Sequence, residues 1–147
     1  MSYKDAVSIG ILVSVIHRLG SIFVNSSLAP YRIGAGQHAY LLALNDTEGL
    51  TQEDLAKLFQ LDKATVARAV AKLESEGYVK RETDNHDRRA YRLFLTQAAR
   101  ALIPEIQKTL KEWENALLKG MERAEREAFS AFLLRAARNA GEKVKSS

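Results

Sequence analysis

Apolar residues recur at helical spacing along most of this chain, and one short segment alternates instead. Residues 5–27 are rich in apolar side chains and predict one long helix. Residues 36–45 predict a second helix, because Tyr40, Leu41 and Leu44 have helical spacing. The amino-terminal third of the chain is therefore predicted to be helical.

Two shorter helices separated by a tight turn are predicted next. Thr51 is a good N-cap with Asp54 three residues later, a spacing close to a capping box. Asp62 is a second N-cap and predicts a helix over residues 63–75. Gly77 stands where a glycine commonly ends a helix.

The alternating segment follows and predicts a hairpin. Residues 78–83 and 89–96 read as two strands, joined by a polar turn of the kind that Asp and Asn favour. Helical spacing then returns over 97–121, with a kink expected at Pro104, and over 122–140, with the end expected at Gly141. The predicted fold class is mainly α with a small β-hairpin (α+β).

Composition excludes several classes of function. The chain has 147 residues, 46% of them hydrophobic and 27% charged, as expected for one globular domain. With no cysteine it has no disulfide framework, zinc ribbon, iron–sulfur cluster or thiol switch, and its three histidines lack a short metal-binding spacing. No phosphate loop, serine elbow or zinc-protease motif occurs, so we expect no catalytic residue, metal or cofactor, and no enzyme.

The apolar amino-terminal stretch also raises the question of a membrane span. His17 and Arg18 interrupt it, and the uninterrupted part, residues 6–16, is shorter than the about 20 residues that a spanning helix needs. We therefore expect a buried or interface helix, no membrane, and a cytoplasmic protein.

The order helix, turn, helix, hairpin predicts a winged helix-turn-helix, whose second helix enters the major groove of DNA. On that helix an apolar face is formed by Val66, Ala69, Val70 and Leu73. The opposite face carries arginine, lysine and threonine among alanines, which suits close approach to base edges and pairing with guanine. The expected DNA contacts of this helix are Lys63, Ala64, Thr65, Ala67, Arg68 and Lys72. Thr51 and Gln52, at the cap of the preceding helix, are expected near the DNA backbone.

The hairpin carries a second set of cations, which suits the narrow and strongly negative minor groove. The expected wing contacts are Arg81, Asp87, Arg88 and Arg89. Asp87, two residues before Arg89, is expected to fix the rotamer of that arginine. A winged-helix module that binds protein and not DNA is the alternative class, but such a module has no need for arginines at an exposed tip.

Residues 50–96 resemble the core of the MarR family. The matching stretches are LTQEDLA, DKATVARAVAKLESEG and DRRAYRLFLT. Ala64 stands where many members have serine, and Asn85 where proline is common. The resemblance implies a homodimeric DNA-binding regulator in which each wing arginine enters the minor groove and an aspartate orients it, here Arg89 and Asp87. It also implies a helical dimerisation region, residues 1–35 and 97–147, around a DNA-binding part, residues 36–96.

Dimerisation has a physical argument of its own. The first helix is apolar around much of its circumference, so it must be covered on most sides. A second copy that pairs through helices 1–27 and 122–140 would cover it. A monomer whose first helix lies across its own domain is the alternative.

MarR-like proteins often bind a small aromatic acid or a phenol between the dimer base and the DNA-binding part. The candidate effector-binding residues are His17, Arg18, Tyr31 and Tyr40, with Arg32 and His38 close by in sequence, because a cation beside aromatic rings suits a carboxylate or phenolate. An ordinary ion pair and an interface histidine are the alternative. The sequence thus predicts a ligand-responsive repressor that binds a near-palindromic operator as a homodimer.

Overall fold

The computed structural model describes residues 8–34, 36–87 and 89–147. The helices are α1 (Ile9–Leu28), α2 (Gln37–Asp46), α3 (Gln52–Phe59), α4 (Lys63–Ser75), α5 (Gln97–Leu117) and α6 (Arg123–Lys145). A 3₁₀ turn, Ala29–Tyr31, follows α1, and the strands are β1 (Val79–Thr83) and β2 (Tyr91–Leu95). The predicted fold class, mainly α with a small hairpin, is confirmed.

Helix α1 begins at its N-cap, Ser8, whose Oγ accepts the Ile11 N–H at 3.3 Å. Its buried residues are Gly20, Val24 and Leu28. The apolar side chains left exposed are Ile9, Ile11, Leu12, Val13, Leu19 and Ile22. By length and composition alone Ile9–Tyr31 is apolar enough to cross a membrane, a test that core helices of soluble proteins also pass.

Helices α3 and α4 begin where the N-caps predict. The Thr51 N–H donates to Asp54 Oδ2 at 2.9 Å and the Asp54 N–H donates to Thr51 Oγ1 at 3.1 Å, which completes the capping box. Asp62 Oδ1 accepts the Thr65 N–H at 2.8 Å at the start of α4. After α4, Gly77 has φ +80°, a left-handed conformation that glycine adopts without strain.

The hydrophobic core is formed by α4 and by one face of each element that surrounds it. Its largest fully buried side chains are Leu28, Leu41, Leu44, Leu55, Leu73, Leu93, Leu95, Ile106, Val66 and Val70. The predicted apolar face of α4 therefore faces the core, with Ala69 half-buried at its margin. Strands β1 and β2 pair antiparallel from Val79↔Leu95 to Thr83↔Tyr91, so the hairpin extends away from this core.

The described chain forms two compact units, one that ends at Trp113 and one over Glu114–Ser147. In the second unit Glu122 and Glu125 form a capping box at the start of α6, and none of the residues of α6 is buried. The predicted end at Gly141 is wrong, because α6 continues to Lys145. A single glycine costs a helix only about 1 kcal/mol, which the flanking helix formers offset.

Gly20 packs closely against the indole of Trp113. A β-carbon at Gly20 would lie 3.0 Å from Trp113 Nε1, and this ring is stacked on Phe23 at 5.9 Å. Gly20→Ala is therefore expected to lower the free energy of unfolding by about 1 kcal/mol, since overpacking outweighs the gain in helix propensity.

Gly10→Ala in the same helix is the matched control. Its β-carbon would meet only Ser8 Oγ, at 3.8 Å, so this variant is expected to gain about 0.5 kcal/mol. Urea unfolding at equal protomer concentration measures both values. Equal stabilisation by the two alanines would contradict the close packing at Trp113.

Candidate nucleic-acid interface

The outer face of α4 carries the residues that the sequence assigns to DNA. Lys63, Ala64, Arg68 and Lys72 are exposed, and Thr65 and Ala67 are half-buried. Because Val66, Val70 and Leu73 turn the opposite face into the core, these side chains point away from the body of the first unit. The helix thus presents small residues and cations to solvent along its length.

Thr65 links the N-cap of α4 to its central arginine. Its Oγ1 donates to Asp62 Oδ2 at 2.6 Å and accepts from Arg68 Nη2 at 3.4 Å. The proton of the Thr65 hydroxyl is therefore donated to Asp62, and only the lone pairs of this oxygen remain to contact a nucleic-acid base. The contact also holds Arg68 along the helix surface, which reduces the conformational entropy that a binding event has to remove.

The Asp62 carboxylate is stabilised in its charged form. The Thr65 hydroxyl and the Thr65 backbone N–H both donate to it, and they lower its pKa below the usual value of an aspartate. Its negative charge also complements the positive end of the α4 dipole. Asp62 is a residue that sequence analysis named as a cap but not as the partner of the Thr65 side chain.

At the wing tip Asp87 organises the backbone of the turn. Asp87 Oδ1 accepts the backbone N–H of Arg89 at 2.9 Å, and the Asp87 carbonyl accepts the N–H of Ala90 at 3.1 Å. Asp87 therefore fixes the turn through the Arg89 backbone, whereas the sequence predicts that it fixes the Arg89 rotamer. The Arg89 side chain is exposed, and Arg88 lies outside the described residues.

A different arginine, Arg92 near the start of β2, links the end of β1 to the loop before α3. Arg92 Nε lies 3.3 Å from Asp84 Oδ2, and Arg92 Nη1 donates to the Gly49 carbonyl at 3.0 Å. The backbone N–H of His86 donates to Asp84, and with the charge of Arg92 it lowers the pKa of this buried carboxyl. Sequence spacing gives no signal for the contact between Arg92 and Gly49, because these residues are 43 positions apart.

A cleft of 310 Å³ separates the start of α3 from the wing. It is lined by Thr51, Gln52, Glu53, Arg81, Asp87, Arg89, Ala90 and Tyr91. The structure thus brings the two predicted cap residues next to two predicted wing arginines. The positive end of the α3 dipole and the Arg89 guanidinium favour an anion at this place, whereas the carboxylates of Glu53 and Asp87 oppose one.

Arg81 differs from Arg89 in having a partner within the chain. Its Nε donates to Glu74 Oε2 at 2.8 Å, and its guanidinium carbon lies 5.8 Å from the centre of the Tyr91 ring. Glu74 is the residue before the last in α4. Arg81 therefore joins α4 to the hairpin.

A second cavity, of 260 Å³, lies beside α1. It is lined by Ile16, His17, Gly20, Ser21, Val24, Asn25, Gly36, His38 and Trp113. His38 Nδ1 is buried and has no hydrogen-bond partner among the residues that the structure describes, and burial lowers the pKa of this imidazole. In residues 8–34, 36–87 and 89–147 no group of three potential metal ligands occurs.

Of the candidate effector residues, the structure places His17 and His38 on this cavity. Tyr40 is buried in the core, with its ring edge-on to Phe59 at 5.2 Å. The Tyr31 carbonyl accepts the Tyr78 hydroxyl at 2.8 Å, and Arg18 is exposed on α1. Trp113 also lines the cavity, and the sequence does not single it out as an effector-binding residue, because only the fold brings α5 to α1.

Known proteins resemble this chain over most of its length. A model described as the MarR family matches residues 33–90. The chain is 31% identical over 104 residues to an uncharacterized HTH-type transcriptional regulator, YybA, of Bacillus subtilis strain 168, covering 71% of this chain and 69% of that protein.

Solved structures extend this resemblance. The crystal structure of a MarR transcriptional regulator from Methanosarcina mazei Go1 has a TM-score of 0.86 at 38% identity, covering 92% of this chain and 97% of that one. A putative MarR family transcriptional regulator from Listeria monocytogenes, crystallised with 26mer DNA, has a TM-score of 0.89 at 24% identity, covering 96% of each chain. At that identity the second likeness concerns the fold alone.

The lowered pKa of Asp62 predicts a pH dependence of stability. A carboxylate with a depressed folded-state pKa contributes stability above its unfolded pKa of about 3.9, and this contribution is lost as the pH falls through the folded-state pKa. Asp62→Asn keeps a capping side chain that does not titrate. Its urea midpoint is therefore expected to fall less steeply than that of the wild type between about pH 5 and about pH 3.

Asp62→Ala is the companion variant, because it removes both the cap and the charge. It is expected to have the lower midpoint at neutral pH and the same shallow pH dependence as Asp62→Asn. A wild-type midpoint that falls no faster than that of the asparagine variant would contradict the role of the ionised carboxylate.

Proposed function

This chain belongs to the MarR family of transcriptional regulators, and we propose that it works by sequence-specific binding to double-stranded DNA. Members of this family are regulators and not enzymes. The observation that carries the proposal is the pairing of an exposed helix face, rich in alanine and cations, with a wing that carries Arg89. The Listeria protein of the same fold was crystallised with DNA, which adds support.

Helix α4 is the proposed reader of bases in the major groove. Arg68 is the residue that we assign to guanine, since its fork can pair with both acceptors of that base. Lys72 and Lys63 contact phosphates or base edges, and Thr65 offers the lone pairs of its hydroxyl. Ala64 and Ala67 let the helix backbone come close to the bases.

The wing and the start of α3 contact the flanking DNA in this proposal. Arg89, together with Arg88, enters the minor groove, where a narrow A·T-rich stretch is strongly negative. Thr51 and Gln52 lie across the cleft from Arg89 and hold a backbone phosphate at the positive end of α3. Asp87 contributes by shaping the turn that presents Arg89.

The active species in this proposal is a homodimer. The exposed apolar side chains of α1 and those of α6, among them Phe132, Leu133 and Leu134, need a cover that a second copy supplies. Residues 1–35 and 97–147 then form the dimerisation region around the DNA-binding part, residues 36–96. Two recognition helices fit half-sites about 10 base pairs apart, so the operator is near-palindromic. The apolar face of α1 meets protein and not lipid, and the protein acts in the cytoplasm.

The cavity beside α1 is the proposed effector site. A volume of 260 Å³ suits a single ring, and Trp113 offers a surface for an aromatic acid or a phenol. The unpartnered Nδ1 of His38 can accept a hydrogen bond from a hydroxyl group when the imidazole is neutral. The chain acts as a repressor in this proposal, and the ligand releases DNA by changing the separation of the two wings.

Selection of binders from random-sequence duplexes tests the proposed function without knowledge of the operator. The selected duplex and a scrambled one of equal length are then compared by fluorescence anisotropy over a salt series. The proposal expects a near-palindrome that binds at least about a thousandfold more tightly than the scrambled duplex, with a steep salt slope. Equal and weak binding to both duplexes would overturn it and favour a protein partner.

Arg68 offers a test of base reading. Arg68→Ala is expected to weaken binding to the selected duplex by about 1–3 kcal/mol and to relax its sequence preference, because a bidentate contact to guanine is lost. Arg68→Lys keeps the charge without the fork, so it is expected to lose specific affinity while binding to scrambled DNA persists. Equal losses on the two duplexes in both variants would exclude Arg68 as a base reader.

Trp113 offers a test of the effector site, because it is the only tryptophan of the chain. Titration with phenol and with salicylate is expected to quench its fluorescence and to release the selected duplex over the same concentration range. His38→Leu is expected to weaken quenching by phenol about tenfold, since a buried hydrogen bond is lost. His86→Leu, on the wing, is the control and keeps the wild-type titration. Quenching that is unchanged in the His38 variant would contradict the site.

A further inference from the structure

Arg81 is a cationic residue of the wing, and its side chain contacts other side chains of the same protein. Its Nε donates to Glu74 Oε2 at 2.8 Å, and the two side chains are 32% and 41% exposed. The guanidinium also lies 5.8 Å from the centre of the Tyr91 ring, within the range of a cation–π contact. This side chain of β1 therefore contacts both α4 and β2.

The three residues lie on α4 and on the two strands of the hairpin. Glu74 precedes the last residue of α4, Arg81 is the middle residue of β1, and Tyr91 is the first residue of β2. The chain between α4 and β1 is already fixed, because the Tyr78 N–H donates to the Leu73 carbonyl at 2.9 Å. Arg81 adds a tie further along the hairpin, toward its tip.

We propose that Arg81 is a positioning residue, which sets the distance between α4 and the wing, and not the DNA contact that the sequence indicates. This inference rests on the proposed function, in which Arg68 and Arg89 enter neighbouring grooves. A wing held in place loses less conformational freedom on binding, so the tie raises affinity without touching DNA. The carboxylate of Glu74 also balances the positive charge of Arg81, which a contact with a phosphate would require.

Salt dependence separates the two roles. A cation that contacts a phosphate adds about 0.9 to the slope of log affinity against log salt, and its removal lowers the slope by that amount. Arg81→Gln is expected to weaken binding to the selected duplex about two- to fivefold per protomer at every salt concentration, the loss expected from an exposed ion pair. Arg89→Gln is expected to lower the slope by about one per protomer.

Lys80→Gln is the matched control, because it removes the same charge from the neighbouring residue of β1. Lys80 Nζ lies 3.9 Å from Glu82, within the same strand, so its loss does not loosen the tie to α4. Affinity is expected to change less than twofold in this variant. A charge reversal completes the series: Glu74→Arg combined with Arg81→Glu is expected to recover most of the affinity that Arg81→Glu alone loses.

Hydrogen–deuterium exchange of the free protein tests the inference without DNA. Amide exchange over residues 79–95 is expected to be about two- to fivefold faster in Arg81→Gln and unchanged in Lys80→Gln, with protection restored by the charge reversal. If the wild type binds no duplex specifically, the proposed function fails. Amide exchange alone then tests whether Arg81 holds the wing against α4. Wild-type exchange in Arg81→Gln, or a slope lowered by about one per protomer, would overturn the inference.

Discussion

The burial of one stripe of α4 is the constraint on which the rest of this molecule depends. Val66, Val70 and Leu73 are almost completely buried, and this fixes the rotation of the helix about its own axis. Arg68 and Lys72 must then face solvent, since they lie on the other side of the helix. The same packing sets the end of α4, where Gly77 turns the chain into β1. A single hydrophobic contact surface therefore determines both the direction of the cationic face of α4 and the start of the wing.

The opposite situation holds for α1 and α6, whose apolar side chains exceed what their own units cover. Only the later part of α1 enters the core, through Val24 and Leu28, and the earlier turns remain exposed. The cavity beside α1 lies at the boundary of these two parts of the helix. It is lined by core residues such as Val24 and by half-exposed ones such as Ile16. A ligand at this place would act on the helix that the proposed dimer contact also uses. Ligand binding and dimer geometry are thus physically linked in the proposed mechanism.

Local signals allowed much of the fold to be predicted. Asp62 and Thr51 marked the helix starts because an N-cap is decided by neighbours in sequence, and the stripe on α4 followed from its spacing. The end of α6 was missed because a glycine is a weak stop signal when the flanking residues favour a helix. In the candidate site, residue types and their face could be predicted, but the partners of Arg92 and the orphaned atom of His38 could not. These depend on which distant elements meet, and hydrophobic periodicity carries no such information.

The sequence predicts that Arg81 and Arg89 both contact DNA, whereas the structure divides the described arginines of the hairpin into two kinds. Arg81 is paired with Glu74 and Arg92 with Asp84, so much of their charge is balanced within the chain. The Arg89 side chain is exposed at the tip, where its backbone N–H and not its guanidinium engages Asp87. The acidic residues of this region are therefore not opposed to a DNA-binding role. Glu74 and Asp84 pair with two of these arginines, and in the proposed function the charge available to a phosphate or a minor groove is that of Arg89 at the tip.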